Sequence, residues 1–188
     1  ISFLWTIRII EYKTESDFGF LGIYPRKIFT LPCILTAPLI HGNFFHLISN
    51  TLPLLILGIT TFFFYRNIAF DVFLWIYLLS GLWVWVGATP DAYHIGSSGI
   101  VYGFVAFLFF SGLFRRDPRA LAIAVVVALV YGSLIWGIFP MAYNVSWEYH
   151  LFGALAGSFC AYFYRRERGG NIENEFYSGE GKPTFDDI

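Results

Sequence analysis

Five apolar runs, at residues 46–65, 70–88, 98–114, 120–138 and 150–164, each approach the ~20 residues an α-helix needs to cross a bilayer. Lysine and arginine punctuate only every second connection between them. A chain built this way has hydrocarbon for a solvent, and its backbone must satisfy its own polar groups as helix. The composition agrees: 13% of the residues are charged, against about 25% in a soluble domain, and 57% are hydrophobic. The first run, "ISFLWTIRII", is too short to span and reads as the tail of a longer helix. The expected fold is an all-α polytopic membrane bundle of six transmembrane helices, the first one truncated.

The placement of the few charges sets the orientation. Arg66, then Arg115, Arg116 and Arg119, then Arg165, Arg166 and Arg168 mark the inner face, while the connections 89–97 and 140–149 hold no Lys or Arg. The starts of the 98–114 and 150–164 helices therefore face outward. Segment 11–45, rich in Phe, Leu, Ile and Pro, is expected on the outer side as a lid, a lateral wall or plain packing. Residues 1–168 make the membrane domain. Residues 169–188, with five acids and one lysine among polar residues, read as a disordered, acidic cytoplasmic tail. A net charge of −1 gives nucleic acid no electrostatic foothold. Cys33 and Cys160 are too few and too far apart for a disulfide framework or a thiolate metal site.

Two of the helices stop short. Ser98 to Phe114 is 17 residues, and at ~1.5 Å per residue covers about 25 Å; His150 to Tyr164 is 15 residues, about 22 Å on the same rise. The hydrocarbon layer is ~30 Å thick. With Arg115 and Arg165 held at the inner headgroups, Ser98 and His150 are recessed below the outer surface, at similar depth. Irregular backbone survives there only beside protein or water, so 89–97 and 140–149 are expected to dip inward around a wet pocket. Gly99-x-x-x-Gly103 on one helix and Gly153-x-x-x-Gly157 on the other allow close approach of their backbones. That approach would set a serine opposite a histidine.

A serine hydroxyl needs a base to act as a nucleophile at neutral pH, and imidazole is the usual one. Ser98 and His150 supply that pair. Neither Glu148, roughly 200° around the helix from His150, nor Asp91 is placed as a third member, so the expectation is a dyad. Tyr102, one turn beyond Ser98 on the same face, can pack against the imidazole. His46 and Asn50, four residues apart on one helix face, and the Ser98 amide at a helix start are candidate oxyanion donors. His41, five residues before His46, is expected to hydrogen-bond within its own loop. Four histidines without an acid or thiol cluster make a poor metal site, and the chain has no H-E-x-x-H and no pair of mid-membrane aspartates.

"GSSG" opening a helix at Ser98, "HLFGALAG" from His150 and "HGNFFHLISN" upstream together resemble the rhomboid family of intramembrane serine proteases, over roughly residues 41–164. The resemblance implies Ser98 as nucleophile and His150 as general base and then acid, with His46, Asn50 and the Ser98 backbone as oxyanion hole. It also implies Gly96 and Gly99 flanking the nucleophile and Tyr102 stacked on the histidine. The implied substrates are single-pass transmembrane proteins cut inside the membrane, with membrane lipid as the surroundings and no cofactor, metal or nucleic acid. The implied location is a bacterial inner membrane, with the site open to the periplasmic side. The chain departs from the family in lacking an evident Trp-Arg pair in the first outer loop, where "YPRK" (24–27) is the nearest basic element. The other reading is a catalytically inactive rhomboid-like protein that binds membrane helices. A transporter would scatter polar residues through several helices, whereas these gather on the outer side.

Overall fold

The structure, a computed structural model, describes residues 1–115, 117–141 and 146–167. The tail at 169–188, Arg116, Arg168 and part of the 140–149 connection lie outside the described residues. Within them the chain is all-helical: α1 (Ser2–Thr14), α2 (Phe44–Phe64), α3 (Ala69–Gly87), α4 (Ser98–Arg115), α5 (Pro118–Tyr131) and α6 (Trp147–Phe163), with four short 3-10 segments between them. The four segments Phe44–Phe64, Ala69–Gly87, Ser98–Arg115 and Pro118–Ile138 are long and apolar enough to cross a membrane. The chain is an integral membrane protein.

Its exterior is apolar where a soluble bundle would be polar. On α2, Phe45, Leu52 and Ile59, seven residues apart and so on one face, are 80%, 61% and 60% exposed, the pattern expected where lipid is the solvent. The interior is organised around α4. It touches α2, α3, α5 and α6, and 67% of its apolar window is enclosed, against 11% for Pro118–Ile138. Phe104, Phe107 and Leu108 of α4 pack with Leu57, Val72 and Ile76 in the main core.

Glycine sets the α4–α6 contact. A Cβ on Gly153 or on Gly157 would run into the carbonyl oxygen of Gly99 or of Gly103 respectively, so the two backbones touch at both levels, in parallel and in register. In lipid such close approach replaces the hydrophobic drive that water would supply. At the C-terminal end of α4 the Arg115 guanidinium donates to the carbonyls of Tyr164 (2.8 Å) and Glu167, satisfying carbonyls left bare where α6 stops. It also lies 4.8 Å over the Tyr65 ring at the end of α2.

Two elements differ from the sequence expectation. The run 120–138 is not one α-helix: regular turns end at Tyr131, and residues 132–138 tighten into a 3-10 segment that begins at Gly132 and includes Gly137, both weak helix formers. And α6 starts at Trp147, so His150 sits a turn inside the helix instead of at its tip. Segment 11–45 contains three 3-10 turns, of which Ile28–Ile34 lies against α3 and Ala37–Leu39 against α4. Ile23 and His94 exchange backbone hydrogen bonds in an isolated antiparallel bridge, and Ile34 packs tightly on Gly81 of α3. The segment is thus a lateral wall joined to the 89–97 connection.

Candidate active site

The start of α4 is fixed from three sides. The Gly96 amide donates to Ala37 O (2.9 Å), and Gly96 itself has φ +104°, a conformation that side chains rarely tolerate. A Cβ at Gly96 would also fall 2.7 Å from both Cε1 and Nε2 of His46, so only glycine lets the chain pass under that ring. Ser97 then caps the helix, its carbonyl accepting from the amides of Ile100 and Val101. Its own hydroxyl and amide lie 3.2 Å and 3.4 Å from His41 Nε2. His41 therefore bonds across to the 89–97 connection, 56 residues on, in addition to its interaction with the backbone of Leu39 in its own loop. It is 1% exposed, and burial, reinforced by the neighbouring His46, pushes its pKa down to about 4. His41 is consequently neutral at physiological pH, as an acceptor from the Ser97 amide must be at that nitrogen.

Ser98 comes next and is 7% exposed. Among the described residues its hydroxyl forms no hydrogen bond. One turn on, the Tyr102 ring lies flat on the His150 imidazole, centroids 4.2 Å apart and planes 7° from parallel. Side chains on a helix lean toward its start, so the Tyr102 ring covers the turn that begins with Ser98. The glycine contacts bring His150, three residues before Gly153, to the same level. The Nδ1 of His150 is 2.9 Å from the carbonyl oxygen of Gly137. The stack and the glycine contacts thus set His150 beside the turn that begins with Ser98, and among the described residues the two side chains are not hydrogen-bonded to each other.

Opposite them, α2 starts at the cap residue Asn43, whose side chain accepts from the His46 amide at 2.8 Å. This holds the His46 ring beside Gly96 and edge-on to His41, centroids 5.0 Å apart. Asn50 is 5% exposed and donates one Nδ2 proton to the His46 carbonyl (2.9 Å), leaving its second N–H for another acceptor. Glu148 is turned away from His150 and accepts from the Thr89 hydroxyl at 3.0 Å. Among the described residues no group of three or more His, Cys, Asp or Glu side chains could hold a metal ion.

Sequence reasoning passed over His94, which is 3% exposed and pairs its Nδ1 with the Ser146 hydroxyl, tying the 89–97 connection to the residue before α6. Burial lowers its pKa against the pull of Glu148. The available signal was a polar residue in a connection with no lysine or arginine. Asn43 was also passed over, although asparagine just before an apolar run is a helix-start signature. In the "YPRK" stretch, Arg26 adopts φ +60°, its amide donates to Trp85 O (2.9 Å), and its guanidinium reaches Ala88 O at 3.3 Å. That basic element fastens the wall to the end of α3.

The sequence model of the Rhomboid domain matches residues 29–167. Among curated proteins, an uncharacterized protein of Mycobacterium tuberculosis is 37% identical over 174 residues, covering 86% of this chain and 71% of its own length. Another, from Mycobacterium leprae, is 34% identical over 171 residues, with 86% and 67% covered. No solved structure matches the chain.

Proposed function

The chain belongs to the rhomboid family, and on that footing we propose that it is an intramembrane serine endopeptidase of six spans, acting on single-pass transmembrane proteins. The Ser98 hydroxyl attacks the scissile carbonyl carbon while its proton passes to His150. The resulting oxyanion is met by the Ser98 amide, His46 and the second N–H of Asn50. Collapse expels the amine, which takes the proton back from His150, and leaves an ester on Ser98. Water then attacks that ester, with His150 again as base, and frees the second fragment. The cycle draws on no metal or cofactor. The arginine pattern supports an orientation with this site toward the outer side, the periplasm of a bacterial cell membrane on this reading, with residues 1–168 as the membrane domain and 169–188 in the cytoplasm.

The observation that carries the reading is the Tyr102–His150 stack over the turn that begins at Ser98. The second reading, a rhomboid-like protein that binds membrane helices without cutting them, draws on the missing bond between Ser98 and His150. Enzymes without substrate commonly show such bonds long or unmade, so that observation weighs little. A fluorophosphonate probe separates the two. Wild type is expected to be labelled at Ser98 and to cleave a model transmembrane substrate, while Ser98→Ala and His150→Ala do neither. An unlabelled wild type with intact substrate means the chain only binds.

A further inference from the structure

We propose that the backbone carbonyl of Gly137 is the positioning group of the dyad, taking the place that a carboxylate holds in a serine protease triad. The inference rests on the protease reading above.

A carbonyl oxygen only accepts, so the 2.9 Å contact with His150 requires the proton to be on Nδ1. In a neutral imidazole Nε2 is then bare and basic, which is the tautomer needed to take the Ser98 proton. The stack on Tyr102 fixes the plane of the ring, and Gly137 fixes its rotation within that plane.

The local fold leaves this carbonyl free. In a continued α-helix the Met141 amide would bond to Gly137 O; here residues 132–138 are 3-10 and the Met141 amide goes to Phe139 O at 2.8 Å. The residue type is equally constrained. A Cβ at position 137 would overlap the Tyr102 hydroxyl, lie 3.0 Å from Tyr102 Cζ and lie 3.2 Å from His150 Nδ1. Gly132, at the other end of the same segment, has nothing within 4 Å of a Cβ. The requirement for glycine thus arises at the Tyr102–His150 stack, chiefly at the Tyr102 hydroxyl, and not from the turn in general.

The test uses the full chain in detergent with 15N-labelled histidine, the His150 signals being identified by their loss in His150→Ala. Wild type is expected to show a protonated Nδ1 at neutral pH. Gly137→Ala is expected to move the proton toward Nε2 and to lower kcat ~10–100-fold with KM unchanged, as misorienting a catalytic histidine does. Adding Tyr102→Phe, which removes the hydroxyl the new methyl meets, should make the alanine cost several-fold less than it does beside Tyr102. A wild-type Nδ1 without a proton overturns the proposal. So does a Gly137→Ala variant that keeps both tautomer and kcat, or one whose loss lies wholly in KM. The nitrogen spectrum is read whether or not the chain cleaves anything, so a failure of the protease reading is seen separately, in the probe labelling.

Discussion

Ser97 and Ser98 are adjacent in the chain, and each has a histidine from another element beside it, yet the two surroundings differ in kind. Ser97 is 1% exposed, with both its amide and its hydroxyl engaged by His41, a histidine kept neutral by burial. Ser98 is 7% exposed, its hydroxyl uncommitted among the described residues, and His150 is bonded through Nδ1 to the Gly137 carbonyl. The first pair has its hydrogen-bonding capacity spent on holding the helix start. The second has it held in reserve. Two identical residue types, one peptide bond apart, are thus divided by which ring nitrogen the fold has already used.

The sharpest way to break this comparison is to remove each hydroxyl in turn. Ser98→Ala should cut cleavage of a model transmembrane substrate a thousandfold or more while leaving the melting temperature close to wild type; equal losses from Ser97→Ala would erase the distinction. The His41 side can be tested by acid. Its pKa falls from 6.5 unfolded to about 4 folded, so between those values the unfolded chain binds a proton that the folded chain refuses. Stability should therefore be complete above pH 6.5 and decline toward pH 4, by about 3 kcal/mol at ~1.4 kcal/mol per pH unit, with a shallower decline in His41→Gln. A melting temperature in detergent that is equal at pH 7 and pH 4.5 would contradict this.

A third variant tests the seam that brings the second pair together. Gly153→Ala places a methyl against the Gly99 carbonyl, backbone that cannot rotate away, and should cost about 1–3 kcal/mol together with much of the cleavage rate. Gly132→Ala, with open space around it, is the control expected to melt as wild type. The smallest effect is that of Ser97→Ala itself: about 1 kcal/mol from one lost hydrogen bond, and cleavage within a few-fold of wild type.

Much of this was legible in the sequence, for identifiable reasons. Apolar runs located α2, α3 and α4 to within a few residues because hydrocarbon imposes length and polarity together. Tyr102 and the four glycines of the seam could be singled out because helical spacing puts each set on one face, and Ser98 and His150 because each opens a short apolar run at similar depth. What stayed hidden depends on contacts between distant segments. His41 meets Ser97 across 56 residues, and His94 meets Ser146 across 52, so neither partner could be read from local spacing. The wall formed by segment 11–45 has no periodicity to read, since its 3-10 turns are set by Ile34 on Gly81 and by the Ile23–His94 bridge. The Gly137 carbonyl left no trace either, because every residue carries one and only the 3-10 geometry sets this one free.

Arg115 carries a mechanical consequence. It stitches α4 to the C-terminal end of α6, while near their N-terminal ends the same two helices are already pressed backbone to backbone at Gly99 and Gly153. Riveted top and bottom, the pair behaves as a single rigid beam. On the protease reading, a substrate helix then enters where elements other than this pair part, and Ser98 and His150 keep their spacing while it does.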